Sequence, residues 1–324
     1  LEDLLVDEDH IVTMSHKGYI KRSSLSYYRR QRRGGRGRSG MHTRDQDFVE
    51  SVFVASTHST ILVVTQTGRA HALKVYMVPE ASPAAKGSAV VNLARLRKEE
   101  QVAAIVPVRS FEDMKNHNLC MVSRQGYIKK TDLGAYSNIN VAGIKAMGVD
   151  KNDEIIGACL TNGEQEILIS TRMGMVVRFR EKDARQMGRT ARGVRGIRLR
   201  KTNDRIVAME VVNPGATILT VTENGYGKRS ELDEYRLTTR GGVGVKTCQI
   251  TDKTGPVVGV MQVSDDDDLM LITDGGMVIR TQVKGISIMG RATQGVRLID
   301  LKAGERVVGL AKLLEKETAE ETSK

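Results

Sequence analysis

The chain contains no tryptophan, four phenylalanines and eight tyrosines, so aromatic residues make up only 4% of its 324 residues. Proteins that bind single-stranded nucleic acid stack the bases on aromatic side chains, and each stack contributes about 1–3 kcal/mol. This composition therefore disfavours a single-strand binder. The absence of tryptophan also argues against a WD-repeat scaffold, which carries Trp-Asp at strand ends and has repeats of about 40–45 residues.

Cysteine is also scarce. Cys120, Cys159 and Cys248 are far apart and show no Cys-x-x-Cys spacing, which predicts reduced, buried thiols rather than a disulfide framework or a metal knuckle. Six histidines show no paired ligand spacing, and Asp265–Asp268 lacks the ligand spacing of an EF-hand. We therefore predict no metal and no cofactor in this chain.

No stretch approaches the roughly 18 consecutive apolar residues that a membrane span requires. The first residues, Leu1–Glu8, are acidic and apolar, without the basic start of a signal peptide. Because the sequence does not begin with methionine, we expect it to be part of a longer cytoplasmic protein.

Acidic residues are absent between His10 and Arg44, where ten basic residues stand. The net charge of the whole chain is +11, so the remaining 40 basic and 39 acidic residues nearly cancel. Uniform attraction to polyanions is thereby excluded. Either one patch binds an anionic partner, or charges elsewhere are sorted onto different faces.

What the chain does have is an internal repeat. An apolar run, a Thr or Ser, two variable residues and a glycine recur six times, with the glycines separated by 50, 58, 48, 51 and 51 residues. The glycines are Gly18, Gly68, Gly126, Gly174, Gly225 and Gly276. The predicted repeats cover residues 9–56, 57–108, 116–160, 164–212, 215–263 and 267–312. Together they predict one domain over residues 1–314, followed by a short, acidic, disordered tail at 315–324.

Each repeat predicts about four β-strands. The glycine supplies the positive φ of a tight hairpin, and the flanking runs are rich in Val, Ile, Leu and Thr. A second half contains a glycine-centred turn, as in Gly188–Arg195 and Gly290–Arg297, and ends in a β-branched run. A unit this small cannot bury both faces alone, so the pattern predicts an all-β ring of six stacked, four-stranded blades.

Charge is sorted within the repeat. Basic residues stand three and four places after the hairpin glycine: Lys21, Arg22, His71, Lys129, Lys130, Arg178, Lys228, Arg229 and Arg280. The second-half turns add Arg189, Arg192, Arg240 and Arg291. Acidic residues occupy a different turn: Asp153, Glu154, Asp204, Asp252 and Glu305. In a ring these positions predict a basic rim that binds duplex DNA and an acidic opposite side.

The window without acidic residues contains Gln31, Arg32, Arg33, Gly34, Gly35, Arg36 and Gly37, with Arg29, Arg30 and Arg38 beside it. These seven residues resemble the box that marks the C-terminal domain of DNA gyrase A, in the same first repeat. Gly-Tyr-Ile-Lys-Arg at 18–22, echoed at 126–130, is also similar to that family. The resemblance covers residues 1–314. It implies a six-bladed β-pinwheel, a propeller-like disc whose blades exchange strands and whose basic rim wraps duplex DNA with positive handedness.

The resemblance further implies that this chain alone is not an enzyme. It would be one part of an ATP-dependent type II topoisomerase, with the catalytic tyrosine and the ATPase outside it. The implied partners are duplex DNA, the rest of gyrase A, and gyrase B in a heterotetramer, and the implied location is the bacterial cytoplasm, at the nucleoid. The alternatives are the topoisomerase IV counterpart, whose box is degenerate or absent, and a propeller-type protein-interaction scaffold.

Overall fold

The computed structural model describes residues 4–25, 47–82 and 84–313, and all six predicted hairpins form within them. Their first strands are β1 (Asp9–Ser15), β4 (Thr60–Thr65), β8 (Asn118–Ser123), β12 (Glu166–Thr171), β16 (Thr217–Thr222) and β21 (Asp268–Thr273). Their second strands are β2 (Tyr19–Ser24), β5 (Arg69–Lys74), β9 (Tyr127–Asp132), β13 (Met175–Arg180), β17 (Tyr226–Glu231) and β22 (Val278–Gln282).

The hairpin turn explains the Thr/Ser-x-x-Gly spacing. Each of the six glycines has a φ between 79° and 92°. The Ser or Thr three residues earlier accepts, through its hydroxyl, the backbone N–H of the residue after the glycine, at 3.1–3.2 Å in all six repeats. The glycine therefore permits the backbone conformation of the turn, and the Ser or Thr side chain stabilises it by a hydrogen bond.

Each repeat adds a strand that pairs with the first hairpin strand: β3 (Val49–Ser56), β7 (Val102–Val108), β11 (Ile155–Thr161), β15 (Ile206–Val211), β20 (Val257–Val263) and β24 (Val307–Leu313). A second, two-residue strand pairs instead with the second hairpin strand of the preceding repeat. These exchanged strands are β6 (Ser88–Ala89), β10 (Ile144–Lys145), β14 (Val194–Arg195), β19 (Val245–Lys246) and β23 (Val296–Arg297).

Six small sheets and strand exchange are thus confirmed, with two departures from the expected four strands. The fourth sheet gains β18 (Leu237–Thr238), which runs parallel to β13, and the sixth has three strands in the described part of the chain. The described residues contain little helix. They form one short α-helix, α1 (Val90–Leu93), and 3₁₀ turns at Val75–Met77, Leu133–Tyr136, Glu181–Asp183, Leu232–Glu234 and Val283–Gly285. In the described residues no helix is long and apolar enough to cross a membrane.

The hydrophobic core lies between neighbouring blades rather than within them. On β4, Ile61 and Val63 pack with residues of the first blade, whereas Leu62 and Val64 pack with residues of the third. Every residue of β4 is buried. Since both faces of a blade are covered, the hairpin strands need continuous apolar runs and not the alternating pattern of a half-exposed sheet.

The ring closes between the last blade and the first. β24 contacts β3, and Phe48 packs with Met270 and Leu313. The third strands also contact one another from the second blade through to the sixth, so they surround the axis of the ring. In the first five sheets the exchanged strands lie on the other side, beside the second hairpin strand. They therefore form the outer edge of the blades.

The glycine before each exchanged strand lies against the backbone of the preceding blade. Gly193 has a φ of 92°, and a Cβ there would lie 2.2 Å from the carbonyl oxygen of Ile128. We expect Gly193→Ala to lower the free energy of unfolding by at least about 2 kcal/mol, because it combines left-handed strain with a backbone clash. Denaturant unfolding measures this loss.

Gly188→Ala is the matched control in the same turn, because Gly188 has an ordinary φ and open space around it. Its effect should stay within about 0.5 kcal/mol. An equal loss of unfolding free energy in the two variants would show that the close approach of Gly193 to the Ile128 carbonyl does not matter for stability.

Candidate nucleic-acid interface

The lysines three residues after the hairpin glycine are buried. Lys21, Lys129 and Lys228 are 7%, 1% and 1% exposed. Each ammonium group donates hydrogen bonds to carbonyl groups in the second half of the following repeat. Lys129 Nζ binds Arg189 O at 2.6 Å and Gly188 O at 3.1 Å, as well as Ala146 O.

The other two lysines repeat this arrangement. Lys21 Nζ binds Ala85 O at 2.8 Å and Ser82 O at 3.2 Å. Lys228 Nζ binds Gly290 O at 2.7 Å and also Arg291 O. Burial lowers the pKa of Lys129 to about 7 and that of Lys228 to about 8. These three side chains hold the exchanged segment and do not present a charge at the surface.

The basic residues one place later bind the 3₁₀ turn of the following repeat. Arg22 Nε donates to Val78 O at 2.9 Å, Arg229 Nε to Ile286 O at 3.0 Å and Arg178 Nη1 to Tyr235 O at 3.1 Å. Lys130 Nζ donates to Glu181 O at 3.1 Å. Arg280 instead pairs with Asp268 of its own hairpin. In the three arginine cases the cation satisfies the carbonyl group of the residue that follows the helical turn.

His71 occupies the lysine position in the second repeat and is 2% exposed. Its Nε2 lies 3.0 Å from Oε2 of the buried Glu100, and Arg69 Nε lies 3.6 Å from Oε1 of the same carboxylate. Arg69 also donates to Ala142 O and Gly143 O of the next repeat, at 2.9 and 2.8 Å. This blade therefore uses a different polar cluster at the same place.

The expectation that these positions face an exposed rim is wrong for Lys21, His71, Lys129, Lys130, Lys228 and Arg229, which are buried. Arg22 and Arg178 are partly buried and donate to main-chain carbonyls, while Arg280 is exposed and ion-paired. The physical reason is strand exchange, which brings carbonyl groups of the next repeat onto these side chains. Their contact with DNA stays a prediction that their burial does not support.

A different basic set lies on the outer edge of the sheets. Lys145, Arg195, Lys246 and Arg297 each end an exchanged strand, and each pairs in register with the residue after a hairpin glycine. Lys145, Lys246 and Arg297 are exposed, and Arg195 is half-buried. Sequence reasoning missed these four residues, although a glycine, a β-branched residue and a basic residue mark each of them.

The predicted loop arginines surround this edge. Arg192 is exposed and lies 2.7 Å from Asp150, while Arg189 is half-buried. Arg240 Nη1 donates to Arg195 O at 3.1 Å, and Arg291 Nη1 donates to Lys246 O at 2.8 Å. Arg240 and Arg291 therefore support the main chain of two edge residues.

The fourth repeat carries a second basic window that sequence reasoning missed. Residues 180–205 contain ten basic side chains against Glu181, Asp183 and Asp204. Arg185, Arg198 and Arg200 are among those exposed. The acidic turns lie elsewhere: Asp153 Oδ1 accepts the N–H of Gln125, and Asp204 Oδ1 accepts that of Met173, both in hairpin turns. Charge is thus sorted between hairpin turn and outer edge.

The box, Gln31–Gly37, and the flanking Arg29, Arg30 and Arg38 lie outside the described residues, so their role stays a prediction. In sequence, Gly37 follows Gly18 by nineteen residues, which is the spacing of Gly193 from Gly174 and of Gly295 from Gly276. The box therefore holds the place in its repeat that the glycine-centred turns hold in the others.

A family model described as the DNA gyrase C-terminal domain, beta-propeller, matches residues 9–56, 59–109, 117–161, 165–213, 216–264 and 267–313. The chain belongs to this family. It is 45% identical over 315 residues to the DNA gyrase A protein of Salmonella typhimurium and 44% identical to that of Escherichia coli. These matches cover 97% of the chain but 36% of each relative, so the chain spans about a third of their length.

Two solved structures share the fold. The C-terminal domain of DNA topoisomerase IV superposes with a TM-score of 0.85 at 25% identity, covering 98% of this chain and 97% of that one. A DNA gyrase A C-terminal domain superposes with a TM-score of 0.70 at 23% identity, covering 94% of this chain and 100% of that one. The six segments that the family model matches coincide with the six sheets, which confirms a six-bladed β-propeller.

The buried lysines generate a pH prediction. Lys129 has a pKa of about 7 in the folded state and about 10.4 in an unfolded chain. Between these two pH values the folded state therefore binds fewer protons than the unfolded state. The free energy of unfolding should therefore rise with pH between about 7.5 and 9. Lys129→Met should reduce this rise and lower the stability at about pH 9 by about 1–3 kcal/mol, since the carbonyl groups of the exchanged segment, Gly188 O and Arg189 O, lose their lysine donor.

Urea unfolding at several pH values measures both effects. Lys284→Met is the control, because Lys284 is exposed in the sixth repeat and its charge does not contribute to the lowered pKa of Lys129. A Lys129→Met chain with unchanged stability and an unchanged pH profile would show that the lysine does not hold the exchanged segment.

Proposed function

We propose that this chain binds duplex DNA without sequence preference and wraps it along the outer edge of its blades. The observation that carries the proposal is the recurrence of Lys145, Arg195, Lys246 and Arg297 at one register position on four consecutive blades. Phosphate groups along a bent duplex meet such a periodic set of cations in turn, as they do on the histone octamer.

The periodic arrangement supplies what bending requires. Bending 20–30 bp by 40–90° costs on the order of 1–6 kcal/mol, more than one exposed ion pair provides. Contacts on successive blades, each releasing counterions, together offset this cost. Phosphate groups carry no sequence information, so the binding is expected to favour easily bent DNA rather than a particular sequence.

For the assembled enzyme, we propose that the chain serves DNA gyrase, an ATP-dependent type II topoisomerase, together with the rest of gyrase A and with gyrase B. The relatives named as the A protein of DNA gyrase are about three times longer than this chain. The catalytic tyrosine and the ATPase are proposed to lie outside it. A positive wrap would direct strand passage toward negative supercoiling, in the bacterial cytoplasm at the nucleoid.

The topoisomerase IV alternative is the weaker one. Its C-terminal domain has the higher TM-score, 0.85 against 0.70, but that number compares backbones that both families share. The identities in the two superpositions, 25% and 23%, do not separate the families either. The sequence relatives favour gyrase, since proteins named as gyrase A are 45% and 44% identical to this chain over 97% of its length. The complete Gln31–Gly37 box also favours gyrase. A protein-interaction scaffold explains neither the box nor the basic outer edge.

The box itself is proposed as the clamp that completes the wrap. It combines Arg32, Arg33 and Arg36 with three glycines inside the window that lacks acidic residues. Arginine binds phosphate in a forked, bidentate manner, and glycine permits close backbone approach. The chain should still bind DNA through its other blades when these arginines are alanine, but should not complete the wrap.

The wrapping proposal predicts that affinity rises with duplex length until one wrap is complete. Log affinity should fall linearly with log salt concentration, with a slope of about −0.9 for each phosphate neutralised. Titration of labelled duplexes of increasing length at several salt concentrations measures both quantities. Lys145→Gln combined with Lys246→Gln should reduce the steepness of the salt dependence on long duplexes.

Lys74→Gln is a control on a half-buried lysine away from the exchanged strands, and it should leave the salt dependence unchanged. Binding to a 12 bp duplex as tight as to a long one would contradict wrapping, about one helical turn being too short to reach several blades.

A further inference from the structure

The residue after the hairpin glycine alternates around the ring. It is Tyr19, Tyr127 and Tyr226 in the first, third and fifth blades, whereas the second, fourth and sixth blades carry Arg69, Met175 and Met277. The buried lysines follow the same alternation, because Lys21, Lys129 and Lys228 also belong to the odd blades. The hairpin pattern therefore repeats in every blade, whereas the tyrosine and the buried lysine repeat in every second blade.

Each of these tyrosines supports cations from the exchanged segment of the next repeat. Lys86 Nζ lies 4.1 Å from the centre of the Tyr19 ring. The guanidinium carbons of Arg192 and Arg195 lie 4.3 and 4.1 Å from the centre of the Tyr127 ring. Arg297 lies 5.6 Å from the Tyr226 ring centre and donates to the Tyr226 hydroxyl at 3.1 Å.

These contacts fix the orientation of the cations without using all their donors. Arg195 donates through Nη1 to Gln125 O at 2.9 Å and through Nη2 to the Tyr127 hydroxyl at 2.7 Å. A guanidinium has five N–H donors, so N–H groups remain for an anion. Stacking on an aromatic face is a geometry that arginine adopts and that restricts its motion before any ligand arrives.

The even blades offer the same register position without this support. In the strand register Lys145 lies opposite Arg69 and Lys246 lies opposite Met175, and both lysines are exposed. In the described part of the chain neither ammonium lies over an aromatic ring. A free lysine must lose rotamer freedom when it binds a phosphate, whereas a stacked arginine has already lost it.

We propose that the three tyrosine-supported clusters are preorganised phosphate-binding stations that anchor the duplex at every second blade. They consist of Tyr19 with Lys86, Tyr127 with Arg192 and Arg195, and Tyr226 with Arg297. The lysines of the even blades add charge between the anchors. The proposal rests on duplex DNA binding at the outer edge and specifies which blades hold the phosphates most firmly.

The test compares two double variants of the 324-residue chain. Arg195→Gln with Arg297→Gln removes one charge from each of two stations, and Lys145→Gln with Lys246→Gln removes two charges from the same register on even blades. Affinity for a duplex long enough for a full wrap is measured, and thermal melting checks that each chain is folded. We expect the station variant to bind more weakly than the even variant by about two- to tenfold per site.

A third variant, Tyr127→Leu, keeps every charge and removes the ring that supports Arg192 and Arg195. It should weaken binding by about two- to tenfold, a loss that net charge alone does not produce. Equal losses for the two charge variants, or full affinity of Tyr127→Leu, would overturn the stations. A wild-type chain that does not bind the long duplex would instead overturn the proposed function.

Discussion

Strand exchange between successive repeats is the constraint on which the rest of the structure depends. The exchanged strands contain only two residues, as in Val194–Arg195, so main-chain pairing alone contributes little to holding them. Buried lysines supply the missing interactions: Lys129 and Lys228 reach carbonyl groups about sixty residues later in the chain. A buried ammonium is costly to desolvate unless it is fully hydrogen-bonded, and the carbonyls of the exchanged segment provide those bonds.

This constraint divides the basic residues into two groups with different tasks. Those after the hairpin glycine hold neighbouring blades together and are largely removed from solvent. Those on the exchanged strands, such as Arg195 and Arg297, lie on the outer edge, where the proposed DNA path runs. A net charge of +11 therefore understates how strongly the outer edge is charged, since the hairpin turns collect the acidic side chains.

Much of the fold could be predicted from the sequence because its signals are local. The Thr/Ser-x-x-Gly step determines each hairpin within a few residues, and its sixfold recurrence gives the number of blades. The environment of Lys129 could not be predicted in this way, since Gly188 and Arg189 are distant in sequence and only strand exchange brings them close. In the sequence alone, a periodic series of basic residues is compatible both with an exposed rim and with a set of buried contacts. The outer-edge position of Arg195 could not be predicted without knowing the strand exchange either, although its Gly-Val-Arg motif is visible in the sequence.

The proposed wrap along the outer-edge cations predicts that the chain changes the topology of bound DNA. The most direct measurement relaxes circular DNA in the presence of the chain and determines the trapped linking difference. We expect a positive difference for the wild-type chain, lost when Lys145, Arg195, Lys246 and Arg297 are all replaced by glutamine in a chain that still melts cooperatively. A folded quadruple variant that traps the same linking difference as the wild type would contradict wrapping along the outer edge.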